Sequence, residues 1–175
     1  MSGHNKWKQI KHKKEAVDKK RGQLFVKLLN AVRIAAKDEP NSDFNPRLRT
    51  VIEKAKKAHV PQENIERALK QSDNKNLEEV VVEAYGPAGS AIIIEAITDN
   101  TNRTINEIKN ILSDYGAKFA EQGSVRWAFL PPSNIDTLWQ PKFKQELSLK
   151  DQQKFNELIE ALEEQNDVQK ISTNA

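Results

Sequence analysis

The sequence contains no cysteine, few aromatic residues and few glycines. The absence of cysteine excludes a disulfide framework, a thiolate metal site and a cysteine nucleophile. Aromatic residues make up 6% and glycine occurs 6 times in 175 residues, so glycine-rich fibrous classes are excluded. Apolar runs reach only about five residues, whereas a membrane-spanning helix needs roughly 20. What remains is a highly charged chain, with 30% charged and 37% hydrophobic residues.

The N-terminus lacks the apolar segment of a secretory signal. Residues 1–14 are basic, but they carry lysine rather than the arginine of a mitochondrial transit peptide, and Glu15 and Asp18 follow directly. We therefore expect a protein of the bacterial cytoplasm or, as the alternative, of the mitochondrial matrix, with no membrane partner.

Charge is distributed unevenly along the chain. Lys and Arg number 28 and Asp and Glu 25, which gives a net charge of only +3. Residues 1–72 hold 18 basic and 8 acidic side chains, a balance of +10, and residues 73–175 hold 10 and 17, a balance of −7. This asymmetry predicts two units with different roles, one of which faces a polyanion.

The first half has the pattern of a small helical domain. Residues 1–22 show little apolar periodicity, so we expect them to form an extended or partly ordered basic arm. A helical stripe begins at Gln23 and stops at Pro40, and Asn45 and Pro46 suit the N-cap and first position of a second helix. The Pro61 break starts a third helix, which gives a three-helix domain over residues 1–72.

The second half predicts a small α+β domain over residues 78–174. Strands are expected at 80–84 and 91–98 around a turn at 86–89, then at 117–121, 124–129 and 168–171. One helix should be capped by Thr101 or Asn102, and a last helix by Ser148. The expected architecture is a mostly antiparallel sheet with two helices on one face, and residues 131–147 form an irregular linker.

Enzymatic constellations are not visible in the sequence. The three histidines, His4, His12 and His59, lack the spacing of a metal site, and there is no nucleophile elbow or phosphate-binding loop. The glycine-containing segment 86–89 joins two strands, so a hairpin turn is the better interpretation. We expect no catalytic residues, no bound metal and no cofactor.

The basic arm is the most informative feature. Residues 1–37 contain 11 Lys or Arg side chains and two acidic ones, a pattern suited to neutralising phosphates. Flat rings of the arm could stack on a base or sugar. The alternative interpretation of the basic arm is a solvated surface that binds no nucleic acid. The candidate nucleic-acid-binding residues are His4, Asn5, Lys6, Trp7, Lys8, Lys11, His12, Lys13, Lys14, Lys19, Lys20 and Arg21, with Arg47 and Arg49 on the second helix.

Groups able to read base edges are sparse. Lysine binds phosphate as a point charge, whereas bidentate Arg, Asn or Gln contacts read bases. The candidates are Asn5, Gln9, Arg47 and Arg49. A helix-turn-helix around Pro61 is a poor fit, because the third helix carries Glu63 and Glu66.

Several long motifs, in order along the chain, resemble the YebC/PmpR family, which includes the mitochondrial translational activator of cytochrome oxidase subunit one. The matching segments are Ser2-Gly3-His4-Asn5-Lys6-Trp7, Ile10-Lys11-His12-Lys13-Lys14, Lys20-Arg21-Gly22, Arg47-Leu48-Arg49, Asn64-Ile65-Glu66-Arg67-Ala68, Glu83-Ala84-Tyr85-Gly86-Pro87, Thr98-Asp99-Asn100, Asn102-Arg103-Thr104, Gly123-Ser124-Val125 and Asp167-Val168-Gln169. The resemblance covers residues 1–130 and about 148–174.

The resemblance implies a helical N-terminal domain followed by α/β domains. Family members usually carry a third domain between the Gly-Ser-Val strand and the last helix of the second domain. Residues 131–147 are too few for a domain, so this chain resembles a form that lacks it. The final helix and strand should still close the second domain.

Two non-enzymatic functions are implied by the resemblance. Family members have been described as DNA-binding regulators of transcription, and others as ribosome-associated translation factors that assist synthesis of proline-rich stretches. Both functions remain open. The expected partner is DNA for the first and ribosomal RNA for the second, and the chain is expected to be a monomer. A third alternative, from the acidic second half, is an adaptor between proteins.

Overall fold

The computed structural model describes residues 3–72, 76–133 and 138–175, with the side chains of residues 3–13 and 16 outside that description. The chain divides into two compact units, Met1–Asn74 and Lys75–Ala175. The first is helical and the second combines helices with a sheet. The predicted α+β class is confirmed.

Three helices build the first unit: α1 (Gly3–Asp38), α2 (Pro46–Lys57) and α3 (Gln62–Lys70). The second half of α1 supplies the buried Val32, Ala35 and Ala36, which pack with Leu48 of α2 and Ala68 of α3. A second cluster of Ala55, Val60 and Ile65 continues this core. The three predicted helices are present, and their apolar stripes face one another as the periodicity indicates.

The expectation of an extended or partly ordered arm is wrong for residues 3–22. The backbone is helical from Gly3, so the arm and the first predicted helix form one helix of 36 residues. The prediction relied on apolar periodicity, which this segment lacks because it has little to bury. The segment also contains no proline, and its lysines and glutamine have good helix propensity. The packed second half of α1 provides the nucleus from which the helix continues.

Asn45 joins two helix ends. Its side-chain oxygen accepts a hydrogen bond from the Leu48 N–H (2.9 Å), which caps α2 as predicted. Its Nδ2 donates to the carbonyl oxygens of Ala35 (2.7 Å) and Glu39 (2.8 Å) at the end of α1. The buried amide thus satisfies backbone groups of both helices, which are otherwise without intrahelical partners.

The second unit contains a four-stranded antiparallel sheet of β1 (Glu78–Tyr85), β2 (Ala91–Thr98), β3 (Lys118–Ala120) and β6 (Val168–Thr173). These strands lie in the order β3-β1-β2-β6. Strands β1 and β2 form the predicted hairpin, with Val82 opposite Ile94. The turn between them includes Ala88 and Gly89 at positive φ (54° and 76°).

Two helices, α4 (Thr101–Asp114) and α5 (Leu149–Glu164), cover one face of this sheet. Ile108 and Leu112 of α4 and Leu158 and Leu162 of α5 are completely or almost completely buried. Ser148 caps α5 as predicted, accepting from the Asp151 N–H (3.2 Å). The predicted caps of α4 are wrong, because Asn100 accepts from the Arg103 N–H (3.0 Å) and α4 begins one residue earlier.

The opposite face of the sheet is covered by a short turn and a small hairpin. Ile93 of β2 packs there against Val125, Ala128 and Phe129. Residues 126–128 form a 3₁₀ turn, so the predicted strand at 124–129 is wrong except at its last residue. Strand β4 (Phe129–Leu130) pairs with β5 (Gln140–Pro141), which lies inside the segment predicted to be irregular.

Candidate nucleic-acid interface

Exposed cations occupy the described part of the basic segment in α1. Lys14, Lys19, Lys20 and Arg21 are all exposed, and the Arg21 guanidinium lies 5.2 Å from the centre of the Phe25 ring. Val17 is also 65% exposed, so this part of α1 presents its side chains to solvent. The core contacts of α1 begin with Phe25.

These cations are spread around the helix rather than aligned along one side. With about 100° between successive residues, Lys14 and Arg21 share a face, and Lys19 and Lys20 point elsewhere. A helix that is polar all round is not stabilised by burial in its own domain, and its cations can approach a polyanion from more than one side.

Eight of the predicted site residues have a helical backbone in α1, but their side chains lie outside the described residues. They are His4, Asn5, Lys6, Trp7, Lys8, Lys11, His12 and Lys13. Their participation in binding stays a prediction.

The two arginines predicted on α2 differ in their surroundings. Both are exposed. The Arg49 guanidinium donates to the carbonyl oxygens of Ser42 (3.2 Å) and Asp43 (2.9 Å), which ties the loop after α1 to the first turn of α2. Arg49 therefore has a structural role that the sequence did not indicate, and fewer of its donors remain for a base edge.

Two further cations of the helical unit interact with neighbouring side chains. Arg33 is half-buried and donates to Asn30 (2.8 Å), and burial lowers its pKa. Arg67 pairs with Glu63 (3.3 Å) on α3. Because they lie in the most basic segment of the chain, the exposed cations of α1 are the strongest candidate contact for phosphates.

In the second unit, a polar cluster joins the end of β2, the start of α4 and the start of β6. Asp167 accepts from the Thr104 hydroxyl (2.6 Å) and from Arg103 (2.9 Å). Burial alone would raise the pKa of Asp167, but the hydrogen bonds from Thr104 and Arg103 outweigh it and hold that pKa below its usual value. The hydrogen bond between Arg103 and Asp167 also raises the pKa of Arg103. The cluster stabilises the charged carboxylate and has the character of a structural joint.

Glu83 forms a second polar centre that sequence reasoning missed. Its side chain is 1% exposed, and its carboxylate accepts from the N–H groups of Gly123 (2.7 Å), Val125 (2.7 Å) and Arg126 (3.2 Å). Arg126 Nε lies 2.9 Å from the same carboxylate. These contacts wrap the 123–126 turn around one buried carboxyl group.

Within the described ranges, no group of three or more His, Cys, Asp or Glu residues is arranged to hold a metal ion. Over the same residues, no helix has the length and apolar character needed to cross a membrane.

Two family models match successive parts of the chain. The model of the TACO1/YebC protein N-terminal domain matches residues 5–75, and that of the TACO1/YebC second and third domain matches residues 77–136. The chain belongs to the TACO1/YebC family. The predicted family is therefore confirmed.

Curated relatives of this TACO1/YebC chain share about half of the aligned residues. Proteins named "Probable transcriptional regulatory protein" from Petrotoga mobilis and Thermoanaerobacter pseudethanolicus are 48% and 50% identical over 136 residues, which is 74% of this chain. The match covers 53% and 54% of those proteins. The chain thus spans about half the length of the curated relatives that it matches.

The fold is also similar to a solved structure. A conserved hypothetical protein from Aquifex aeolicus matches with a TM-score of 0.81 and 29% sequence identity, covering 88% of this chain and 89% of that one. The likeness extends over both units, and it supports the α+β assignment.

Proposed function

We propose that this TACO1/YebC chain is a non-enzymatic regulator of gene expression that binds nucleic acid through α1. The observation that carries the proposal is the exposed cationic surface of α1, in a helical unit whose residues 1–72 have a charge balance of +10. Phosphate contacts by lysine supply affinity without reading sequence. The bacterial sources of the relatives support a setting in the bacterial cytoplasm.

DNA-directed regulation of transcription is the first candidate. The relatives carry the name of probable transcriptional regulatory proteins, which supports this function. An α-helix also fits the major groove of duplex DNA, where cations on more than one side can reach both phosphate backbones.

Regulation of translation through ribosomal RNA is the second candidate, and the surroundings of Arg49 favour it. Arg49 is one of four candidate base-reading groups, and its guanidinium is occupied by the carbonyl oxygens of Ser42 and Asp43. A lysine-rich helix with few base-reading groups suits recognition by charge and shape, which is how proteins bind structured RNA.

Charge reversal in α1 tests nucleic-acid binding. Changing Lys11, Lys13 and Lys14 to Glu should weaken binding to duplex DNA and to an RNA hairpin across sequences. For duplex DNA, the slope of log K against log salt should fall by about 0.9 for each lost contact. Fluorescence anisotropy at several salt concentrations measures both quantities.

The matched control reverses three exposed lysines of the acidic unit, Lys118, Lys150 and Lys154. It changes the net charge equally and should leave the salt slope close to that of the parent. Equal effects of the two triple variants would contradict a specific role for α1.

Crosslinking in cells, followed by sequencing of the bound nucleic acid, separates the two candidates. Enrichment of promoter DNA selects regulation of transcription, and enrichment of ribosomal RNA selects regulation of translation. Recovery of neither nucleic acid, with the parent protein expressed, would contradict both.

A further inference from the structure

Two exposed aromatic rings lie together in the second unit. Trp127 is 61% exposed and Phe143 is 42% exposed. Their ring centres are 5.6 Å apart with an angle of 30° between the planes. Large apolar rings gain free energy from burial, so a stacked pair left in solvent is typical of an interaction site.

Backbone and side-chain hydrogen bonds hold this pair in place. The Trp127 indole N–H donates to the Ser124 carbonyl oxygen (2.8 Å), and the Lys142 ammonium donates to the Trp127 carbonyl oxygen (2.9 Å). The Lys142 N–H donates to the Ala128 carbonyl oxygen (2.9 Å), which ties the segment before Phe143 to that after Trp127.

The Glu83 carboxylate also holds the 123–126 turn, because it accepts hydrogen bonds from backbone N–H groups of that turn. The Tyr85 hydroxyl donates to the Ser124 carbonyl oxygen (2.7 Å), which is the oxygen that also accepts from Trp127. Rings that are already oriented lose little conformational entropy when a ligand binds. Because the indole N–H is satisfied within the protein, the Trp127 ring offers a flat face rather than a donor that selects one base.

Positive charge accompanies the rings. Residues 138–145 contain Lys142 and Lys144 and no acidic residue, although the balance over residues 73–175 is −7. Both lysines are exposed and flank Phe143 in the chain. Exposed rings beside local cations complement a ligand that combines flat apolar faces with negative charges between them. Unpaired nucleotides have this chemistry, since their bases stack and their phosphates are anionic.

We propose that Trp127 and Phe143 form a stacking platform for an unpaired base of single-stranded RNA, with Lys142 and Lys144 beside the flanking phosphates. This contact lies in a different unit from α1 and goes beyond the proposed function. It adds a preference for unpaired nucleotides, which a helix that recognises charge alone does not supply.

The test uses the full chain and a fluorescently labelled oligouridine of about 10 nucleotides, a length within the range of single-strand sites. Trp127→Ala and Phe143→Ala should each weaken binding by about fivefold or more, the low end for loss of one stacked base. Trp127→Phe should retain most of the affinity. None of these variants should alter binding to a blunt duplex.

Phe119→Ala is the matched control. Phe119 is 43% exposed, and the Lys109 ammonium lies 4.4 Å from the centre of its ring. It pairs with Ala84, whose side chain belongs to the core on the helix-covered face of the sheet. This variant removes an equally exposed phenylalanine beside a lysine and should leave oligouridine binding unchanged.

Three outcomes would overturn the platform. One is unchanged oligouridine binding by Trp127→Ala and Phe143→Ala when both melt cooperatively, and another is an equal loss in Phe119→Ala. The third is a change of oligomeric state in Trp127→Ala during sedimentation, which would assign the rings to a contact between copies of the chain.

The Lys11, Lys13 and Lys14 charge-reversal variant separates this proposal from the proposed function. If that variant binds duplex DNA and the RNA hairpin normally while Trp127→Ala loses oligouridine, the proposed function fails and the platform stands. The reverse result leaves α1 as the binding element and removes the platform.

Discussion

Glu83 shows how one side chain can organise a distant turn. Glu83 lies in β1, and its carboxylate accepts hydrogen bonds from backbone N–H groups that lie 40 to 43 positions later in the chain. A buried carboxylate is stable only when its oxygens are satisfied, so strand and turn depend on each other. From sequence, Glu83 is one acid in a β-branched strand. Its burial follows from a non-local contact that no local pattern reports.

Glu83→Gln should destabilise the second unit by about 2–4 kcal/mol. The substitution replaces one carboxylate oxygen, which accepts hydrogen bonds from backbone N–H groups, with an amide NH₂ group. It also removes the acidic partner of Arg126. Urea denaturation followed by Trp127 and Trp139 fluorescence, in a Trp7→Phe background, measures the change. The exposed Glu121→Gln should stay within about 0.5 kcal/mol of the parent. Similar values for the two variants would contradict the anchoring role.

Asp167 should make the second unit sensitive to acid. Its folded pKa lies below the unfolded value of about 3.9, so its stabilisation is present above about pH 4 and is lost as pH falls through the folded pKa. Asp167→Asn should cost about 1–3 kcal/mol at neutral pH and reduce the loss of stability on acidification. Urea denaturation at neutral pH and at about pH 3 tests this, and an unchanged acid dependence would refute it.

At the scale of elements, Asn45 couples the end of α1 to the start of α2. Asn45→Asp keeps an acceptor for the Leu48 N–H but places an oxygen against the carbonyl oxygens of Ala35 and Glu39. We expect a loss of about 1–3 kcal/mol in the helical unit, measured by urea denaturation with circular dichroism.

Asn100→Asp is the control for this prediction. Asn100 is exposed and caps α4 by accepting from the Arg103 N–H. Asp is an equally good N-cap, so its effect should stay within about 0.5 kcal/mol. If Asn45→Asp proved as mild as Asn100→Asp, the two donated hydrogen bonds would have no measurable role.

Elements with local signals were predictable from the sequence. The Asn45-Pro46 start of α2, the hairpin at 86–89 and the Ser148 cap of α5 follow from residue types whose conformations are restricted. The first half of α1 was not predictable from the sequence, because an exposed helix has no apolar stripe. The 3₁₀ turn at 126–128 was missed because its alternation of apolar residues also fits a strand, and its backbone is held by Glu83 from another element.

At the scale of the whole molecule, the helical unit and the second unit have charge balances of opposite sign, and each has a hydrophobic core of its own. The buried members of the two hydrophobic clusters of the second unit come from residues 82–168, on both faces of its sheet. The sign of each half was readable from composition. The exposed Trp127 and Phe143 pair was not, because residues 16 positions apart are brought together by the hairpin of β4 and β5.

A fragment of residues 76–175 should therefore melt cooperatively on its own, since about 100 residues can bury a sufficient core. Calorimetry of this fragment and of the full chain measures the transition. Absence of a cooperative transition in the fragment would show that the unit requires the helical unit to fold.

The helical state of the first residues also sets the linear charge density that an approaching polyanion encounters. Eight cations lie between Lys6 and Arg21. An extended chain would spread these positions over about 50 Å, whereas a helix confines them to about 22 Å. Because Glu15 and Asp18 lie in the same interval, the net density is about one positive charge per 4 Å, close to half the magnitude of that of duplex DNA. Winding the segment into α1 thus more than doubles the attraction per unit length without adding a charge.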